Sequence, residues 1–261
     1  MKDVQNMGDT RGIAIQSVGI SKAWLPFLAA SEKGNPQNVT ALVAKFTVDL
    51  PKEYKGTHMS RFMEILHEYA NKPLNFTAID ELLKEALRKL DAKSAHITIN
   101  FKYFIEKAAP VSKRKSLLDI DCIFSGDKVE NKPLEFTMAV AVPVTSLCPC
   151  SKEIADYGAH NQRSMVKAAV KFSCPNGLTI EKLAEIIEKE ASSSVYSILK
   201  REDEKYVTEA AYENPKFVED ILRDLVLSLR KLKGIDYFSV ECENFESIHN
   251  HNAYASHEEY A

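Results

Sequence analysis

Apolar positions along the chain alternate between two periods, and the switch points define the elements. "GISKAWLPFLAA" (19–30) and "NVTALVAKFTVDLP" (38–51) are rich in Val, Phe, Leu and Thr, with a polar turn containing Gly and Pro between them, and predict two strands. The period then changes. Phe62, Ile65, Leu66 and Tyr69 recur at helical spacing, as do Ile79, Leu82, Leu83, Ala86, Leu87 and Leu90, so two helices follow. Alternation returns in "AHITINFKYFIE" (95–106) and "KSLLDIDCIFSG" (115–126).

The same order then begins again. "LEFTMAVAVPVTS" (134–146) and "RSMVKAAVKFSC" (163–174) read as strands. Thr179 is placed to cap a helix carrying Leu183, Ile186, Ile187, Val195 and Leu199. Asn214-Pro215 reads as the start of another, with the stripe Val218, Ile221, Leu222, Leu225, Val226 and Leu229, ended by Gly234. "IDYFSVECENF" (235–245) is a strand, and one more is expected near the C-terminus. The chain thus reads ββααββ twice, with the last strand less marked. This predicts an α+β fold of two tandem units, residues 1–130 and 131–261, each an antiparallel sheet with two helices on one face. No linker separates the units, and the halves show no convincing sequence identity to each other.

Composition narrows the class. The 261 residues are 45% hydrophobic and 27% charged, an ordinary globular balance, and the net charge of −3 gives no global pull towards nucleic acid or an anionic membrane. "MKDVQNMGDTRGIAIQS" lacks the apolar core of a signal peptide, and no apolar run approaches the ~18 residues of a membrane span. The odd count of five cysteines suits a reducing cytoplasm, where close cysteines serve metal binding or catalysis more often than bridging.

Three segments of the second half concentrate reactive side chains. "CPCSKEIADYGAHNQ" (148–162) reads as a long polar loop between two strands and holds Cys148, Cys150 and His160. "KREDEKYVTEAAYEN" (200–214) reads as a second loop, rich in carboxylates. "ENFESIHNHNAYA" (243–255) places His249 and His251 two apart, on one face if the segment is extended. Thiols, imidazoles and carboxylates are the ligand mixture zinc prefers, and a catalytic zinc needs three or four ligands with one position open. The spacing is not that of a zinc finger. Bland readings stand beside this one: buried small hydrophobes for the cysteines, hydrogen-bonded turn residues for the histidines, and a solvated face for the acidic run. Basic residues recur at Lys55, His58, Arg61, Lys113, Arg114, Lys115, Lys152, Arg163, Lys200, Arg201 and Lys205, and some of them could converge on a polyphosphate. Neither a Walker A loop nor G-x-G-x-x-G is present.

Taken together, "GTHMSRF", "PVTSLCPCSKEI", "YGAHNQRS", "LKREDEKYVTE", "YENPKFVED" and "ENFESIHNHNAYA" resemble the prokaryotic GTP cyclohydrolases of type IB, over about residues 10–255. The resemblance implies a tunnelling fold, in which such units pack into an oligomeric barrel, here a homotetramer with interfacial active sites. It implies conversion of GTP to 7,8-dihydroneopterin triphosphate and formate, the entry to folate-type pterins and in some organisms to queuosine-type 7-deazaguanines. Carried over by motif, Cys148, His160, Glu204 and His249 are the metal ligands, and Glu219 of "KFVED" anchors the guanine edge. Cys150 and His251 are the proton-transfer candidates; His58, Arg61, Arg163 and Lys205 are assigned to the substrate. Zinc or manganese is the implied metal, with iron a third choice, and no nucleotide cofactor is needed beyond the GTP substrate. Glu202 stands where many relatives have Pro, "KRED" for "KRPD". Three rivals are a nitrile reductase of the same fold using a Cys nucleophile and NADPH, a pyruvoyl-tetrahydropterin-synthase-like enzyme with three zinc-binding histidines, and a non-catalytic zinc-stabilised assembly module.

Overall fold

A computed structural model of the chain describes Gln5 and residues 7–261; residues 1–4 and 6, the start of the stretch read for a leader, lie outside the described residues. Two long strands come first, β1 (Ile15–Ala29) and β2 (Gln37–Leu50), paired antiparallel with Phe27 opposite Val39 and Leu25 opposite Ala41. Their alternation is the predicted one: Leu25, Phe27 and Ala29 face inward with Val39, Ala41 and Val43, whereas Trp24 is 66% exposed. Helices α1 (Met59–Ala70) and α2 (Phe76–Leu90) follow, separated by the two-residue β3 (Pro73–Leu74). Asn75 caps α2, its side chain accepting from the Ala78 N–H at 2.9 Å. Then come β4 (Ser94–Ala108) and β5 (Lys115–Val129).

The second half runs β6 (Glu135–Leu147), α3 (Pro149–Ile154), β7 (Asn161–Phe172), α4 (Ile180–Lys189), β8 (Ser193–Ser194), α5 (Arg201–Glu213), α6 (Val218–Leu229), β9 (Tyr237–Asn244) and β10 (Ala253–Tyr260). The strands hydrogen-bond in the order β10-β9-β7-β6-β5-β4-β2-β1-β3, with β8 on β6. The fold is α+β and rich in sheet, as the periodicities predict.

Two compact units divide the chain: residues up to Lys102 with Ile123–Met138 and Phe172–Pro175, and Tyr103–Cys122 with Ala139–Lys171 and Asn176–Ala261. In the first, α1 and α2 bury the stripes Phe62, Ile65, Leu66, Tyr69 and Ala78, Ile79, Leu82, Leu83, Ala86. Phe62 meets Phe46 edge-on at 5.0 Å, and a row of Phe101, Phe124, Phe136 and Phe172 continues at 5.2 Å steps. Each such pair is worth about 0.5–1.5 kcal/mol beyond its buried area. Gly126 is required by this packing, since a Cβ there would lie 2.7 Å from Ile79 Cγ2. In the second unit α6 packs on β9 and β10 through Val218, Ile221, Leu222, Leu225, Val226 and Leu229.

Several elements differ from the sequence reading. The carboxylate-rich loop over 200–214 is the helix α5. The helix capped by Thr179 stops at Lys189 and does not reach Leu199, because Ser193 and Ser194 leave to pair with Thr145 and Val144 of β6. Asn214-Pro215 does not start α6: Asn214 ends α5, its amide donating to the Ala191 carbonyl at 2.9 Å, and α6 begins at Val218 after Phe217. Gly234, at φ +72°, turns the chain into β9, five residues beyond the helix end at Leu229. The stretch 148–162 opens with α3, and the C-terminal strand is β10.

Candidate functional site

The Cys-Pro-Cys stretch lies where β6 ends. Leu147 is the last residue of the strand, and Cys148 is the N-cap of α3, its thiol accepting from the Ser151 N–H at 3.5 Å. Pro149 takes the first helical position, where no N–H partner is needed and its fixed φ suits the turn. The proline thus starts a helix, leaving Cys148 half-buried behind it and Cys150 exposed in its first turn.

His160 is bound to the same turn from the opposite strand. The Cys148 N–H donates to the His160 carbonyl at 3.1 Å, and the His160 N–H donates to Ser151 Oγ at 3.1 Å. Ser151 Oγ in turn donates to the Cys148 carbonyl at 3.1 Å. The thiol and the imidazole therefore stand on adjoining strand ends. His160 Nδ1 lies 2.8 Å from Oε1 of the buried Gln162 and 3.3 Å from Ser247 Oγ. With Nδ1–H donating to Gln162, Nε2 keeps its lone pair, which is the tautomer a metal ligand needs.

The β9–β10 connection approaches from the third side. The Phe245 N–H donates to the Arg163 carbonyl at 2.9 Å, and Ser247 then touches His160. Residues 247–251 bend instead of extending, so His249 and His251 do not share a strand face; their exposed rings stack at 5.3 Å. The start of α6 closes on the same strand end, the Lys216 N–H donating to the Leu147 carbonyl at 3.0 Å. Glu219 is exposed in the first turn of α6, not its second, because the helix starts later than Asn214-Pro215 suggested.

Beneath these groups lies a buried polar network that the sequence reading missed. Ser164 Oγ donates to Asn244 Oδ1 at 2.6 Å, Asn244 Nδ2 to Ser146 Oγ at 3.1 Å, and Ser146 Oγ to the Lys216 carbonyl at 2.9 Å. It joins the ends of β6, β7 and β9 to the residues before α6. The signal was present: Ser146, Ser164 and Asn244 interrupt the inward, apolar phase of their strands. Cys242 is part of this floor, and burial pushes its thiol up to about 12, which makes it inert.

Other expected site residues lie elsewhere. Glu204 and Lys205 are exposed on α5, where Lys205 pairs with Glu209 at 3.3 Å. Their helix is tied to the β4–β5 turn by the buried Asp203, which accepts from the Val111 and Ser112 N–H groups at 2.8 Å, from Ser112 Oγ at 2.6 Å and from the Lys200 N–H at 2.9 Å. Burial pushes this carboxyl up, but those donors outweigh it and hold it well below the usual carboxylate range. Arg163 is exposed on β7. In the first unit His58 is the N-cap of α1, and Arg61 donates from Nη1 to the Lys89 carbonyl at 2.8 Å. Among the described residues no three of His, Cys, Asp and Glu are gathered closely enough to hold an ion. The donor chemistry of Cys148, His160 and the adjoining His249 loop nevertheless fits a divalent metal of the zinc type: one sulfur and imidazole nitrogens, with the tautomer of one already set.

These features can be set beside known proteins. A family model described as type I GTP cyclohydrolase folE2 matches residues 1–255. A protein named GTP cyclohydrolase FolE2 from Geobacter sulfurreducens is 49% identical over 259 residues, 99% of this chain and 98% of that protein. One of the same name from Citrifermentans bemidjiense is 48% identical over 256 residues, 98% of this chain and 94% of that protein. Among solved structures, the uricase from Arthrobacter globiformis superposes with a TM-score of 0.54 at 7% identity, over 94% of this chain and 93% of that one. The uricase from Bacillus fastidious gives 0.53 at 8% identity, over 97% and 94%. At such identities the uricases show the fold alone, a sheet-rich α+β architecture of the tunnelling type. The match of nearly the whole chain, motif turn and strand ends included, places the protein in the type I GTP cyclohydrolase FolE2 family.

Proposed function

We propose that the protein converts GTP and one net water to 7,8-dihydroneopterin triphosphate and formate. The observation that carries the reading is the 3.1 Å bond from the Cys148 N–H to the His160 carbonyl, which sets a thiol and an imidazole on adjoining strand ends. That bond lies within a chain of the FolE2 family. Water adds at C8 of the base, the imidazole ring opens to a formamide, and hydrolysis releases formate. The ribose then opens, rearranges and closes on the exposed pyrimidine amine with loss of water.

The chain's own residues divide this work. Cys148, His160 and His249 would hold a divalent metal; Glu204 of α5, which lies apart from them in this structure, is the fourth ligand that the family motifs imply. A divalent ion bound there would supply activated water at neutral pH, since such ions lower the pKa of water to about 7 in favourable sites. Glu219 accepts two N–H bonds from the guanine edge, a charge-assisted contact that fixes the base from a rigid helix turn. Orientation of this kind is worth several kcal/mol. Cys150 and His251, both exposed, move protons during ring opening and closure. The buried Ser146–Asn244–Ser164 network keeps the strand ends in register beneath them.

Further parts of the reading belong with this proposal: tandem tunnelling-fold units over 1–130 and 131–261, a homotetramer with interfacial sites, and a cytoplasmic enzyme serving folate-type or 7-deazaguanine synthesis. No helix among the described residues is long and apolar enough to cross a membrane. The test is to incubate metal-replete protein with GTP and measure formate, with a fluorescent pterin after oxidation. Chelation should abolish both, and zinc or manganese should restore them. Absence of formate from metal-replete protein would overturn the assignment of the reaction; full turnover in metal-free protein would overturn the metal requirement.

A further inference from the structure

His160 enters the site with its backbone already fixed. Its carbonyl accepts from the Cys148 N–H and its own N–H donates to Ser151 Oγ, both at 3.1 Å. What remains to be set is the ring, and the contacts of Nδ1 decide which nitrogen carries the proton. Two side chains reach Nδ1: Gln162 through Oε1 at 2.8 Å and Ser247 through Oγ at 3.3 Å.

Gln162 breaks the pattern of its strand. The inward positions Val166, Ala168, Val170 and Phe172 of β7 are apolar, yet Gln162 opens that same phase and is only 7% exposed. A buried amide costs free energy unless it is hydrogen-bonded. Ser164, the other polar residue of the phase, is engaged by Asn244 in the network below. Gln162 instead gives its carbonyl to the imidazole. Residues two apart on a strand share a face, so this pairing follows from the chain's own register.

The two partners of Nδ1 favour opposite tautomers. An amide oxygen only accepts, so Gln162 Oε1 requires the proton on Nδ1 and leaves the lone pair on Nε2. A hydroxyl also donates. With the proton on Nε2, Ser247 would donate to a bare Nδ1, and Nε2 would have no lone pair to offer a metal. That state sets two acceptors, Oε1 and Nδ1, 2.8 Å apart, where they repel, so Gln162 disfavours it.

We propose that Gln162 is a positioning residue, which selects the metal-binding tautomer of His160 against the competing hydroxyl of Ser247. Ser247 lies two residues before His249 in the β9–β10 connection, so the same contact joins the two imidazole-bearing segments. The consequence for metal binding rests on the metal site proposed above; the choice of tautomer rests on the geometry alone.

The experiment compares the parent with Gln162→Leu, Gln162→Glu, Ser247→Ala and the double variant of Gln162→Leu with Ser247→Ala. Zinc affinity is measured by competition with a chromophoric chelator. The tautomer is read separately, by nitrogen NMR of metal-free protein carrying isotope-labelled histidine, at about pH 8.5, where an ordinary imidazole is neutral. The signal absent from His160→Gln is that of His160. In the parent the proton should lie on Nδ1. Gln162→Leu should move it to Nε2 and weaken zinc binding by about 10–100-fold, the range for losing the outer partner of a metal-bound histidine. Gln162→Glu keeps the shape and only accepts, so the proton should stay on Nδ1 and zinc should bind at least as tightly. Ser247→Ala removes only the longer contact and should change affinity less than about threefold. In the double variant part of the loss should be recovered, because the competing donor is gone. A thermal melt confirms that each variant is folded, and Gln162→Glu keeps the test decisive if Gln162→Leu is not. Parent-like zinc affinity in folded Gln162→Leu, weaker zinc binding in Gln162→Glu, or a proton on Nε2 in the parent each overturns the proposal. So does zinc loss in Gln162→Leu with the proton still on Nδ1, since the amide would then act by packing alone. If the parent binds no zinc but Gln162 still sets the tautomer, the selection stands and the metal site proposed above fails.

Discussion

Lys107 offers the sharpest test of how the second unit is held together. Its ammonium pairs with Glu188, donates to the Val195 carbonyl at 2.7 Å and lies 4.2 Å from the centre of the Tyr196 ring. The two charged side chains are only 9% and 16% exposed. Burial draws Lys107 below and pushes Glu188 above their ordinary pKa values, each against the pull of its partner. Replacing Lys107 by Met keeps most of the stem and strands the carboxylate. Breaking a buried pair in this way costs about 3–5 kcal/mol. At about 2–4 °C per kcal/mol for a chain of this size, the melting temperature should fall by about 6–20 °C. Adding Glu188→Leu should recover most of the loss, because apolar replacement of a whole buried pair is close to neutral. The pH dependence has a definite sign. A folded-state pKa above the ordinary 4.5 means that the folded protein holds the Glu188 proton more tightly than the unfolded one, so stability falls as pH rises from about 4.5 towards the folded value. Without Lys107 that pKa rises further, and Lys107→Met should regain stability as pH is lowered towards 4.5. Thermal and urea unfolding followed by circular dichroism, at one protein concentration, measure all of this. A single variant within about 1 kcal/mol of the parent at neutral pH, or a double variant no better than the single, would refute the reasoning.

Three more outcomes are expected. Glu219→Gln should reduce GTP binding and turnover by orders of magnitude while metal content and melting temperature stay near the parent, since the amide presents a donor to the guanine's own donors; normal turnover would make Glu219 a surface acid, with Glu209 and Glu213 next to test. Cys148→Ala should lose metal, measured by elemental analysis, whereas Cys150→Ala should keep metal and lose formate release; equal metal loss would show that the two thiols are not divided in role. Asp203→Asn should loosen the tie between α5 and the β4–β5 turn and change acid unfolding. The lowered carboxyl contributes stability that is present above its ordinary value of 3.8 and is lost as pH falls below it, and that acid dependence should be absent from the variant.

Much of this protein was legible because burial imposes period. The long strands alternate so regularly, and α1, α2 and α6 bury such clean stripes, that their existence follows from the order of apolar residues alone. The Cys148, His160 and His249 segments were recognisable too, because rare side chains in motif order need no tertiary information. What failed did so where tertiary contacts outweigh local pattern. Helix α5 buries only Asp203 and Ala211, so no apolar stripe announces it; what holds it is a carboxylate clasped by a turn some ninety residues earlier. The stripe of α4 continues on paper to Leu199, but hydrogen bonds to β6 take Ser193 and Ser194 out of the helix. Asn214-Pro215 has the letters of a helix start, yet the Asn214 amide is claimed by the Ala191 carbonyl. The sorting of the basic residues was decided in the same way. Arg114 and Arg201 look no different in sequence from Lys115 and Lys205; only folding shows which cations find a carboxylate within their own helix or turn and which are left around a cavity.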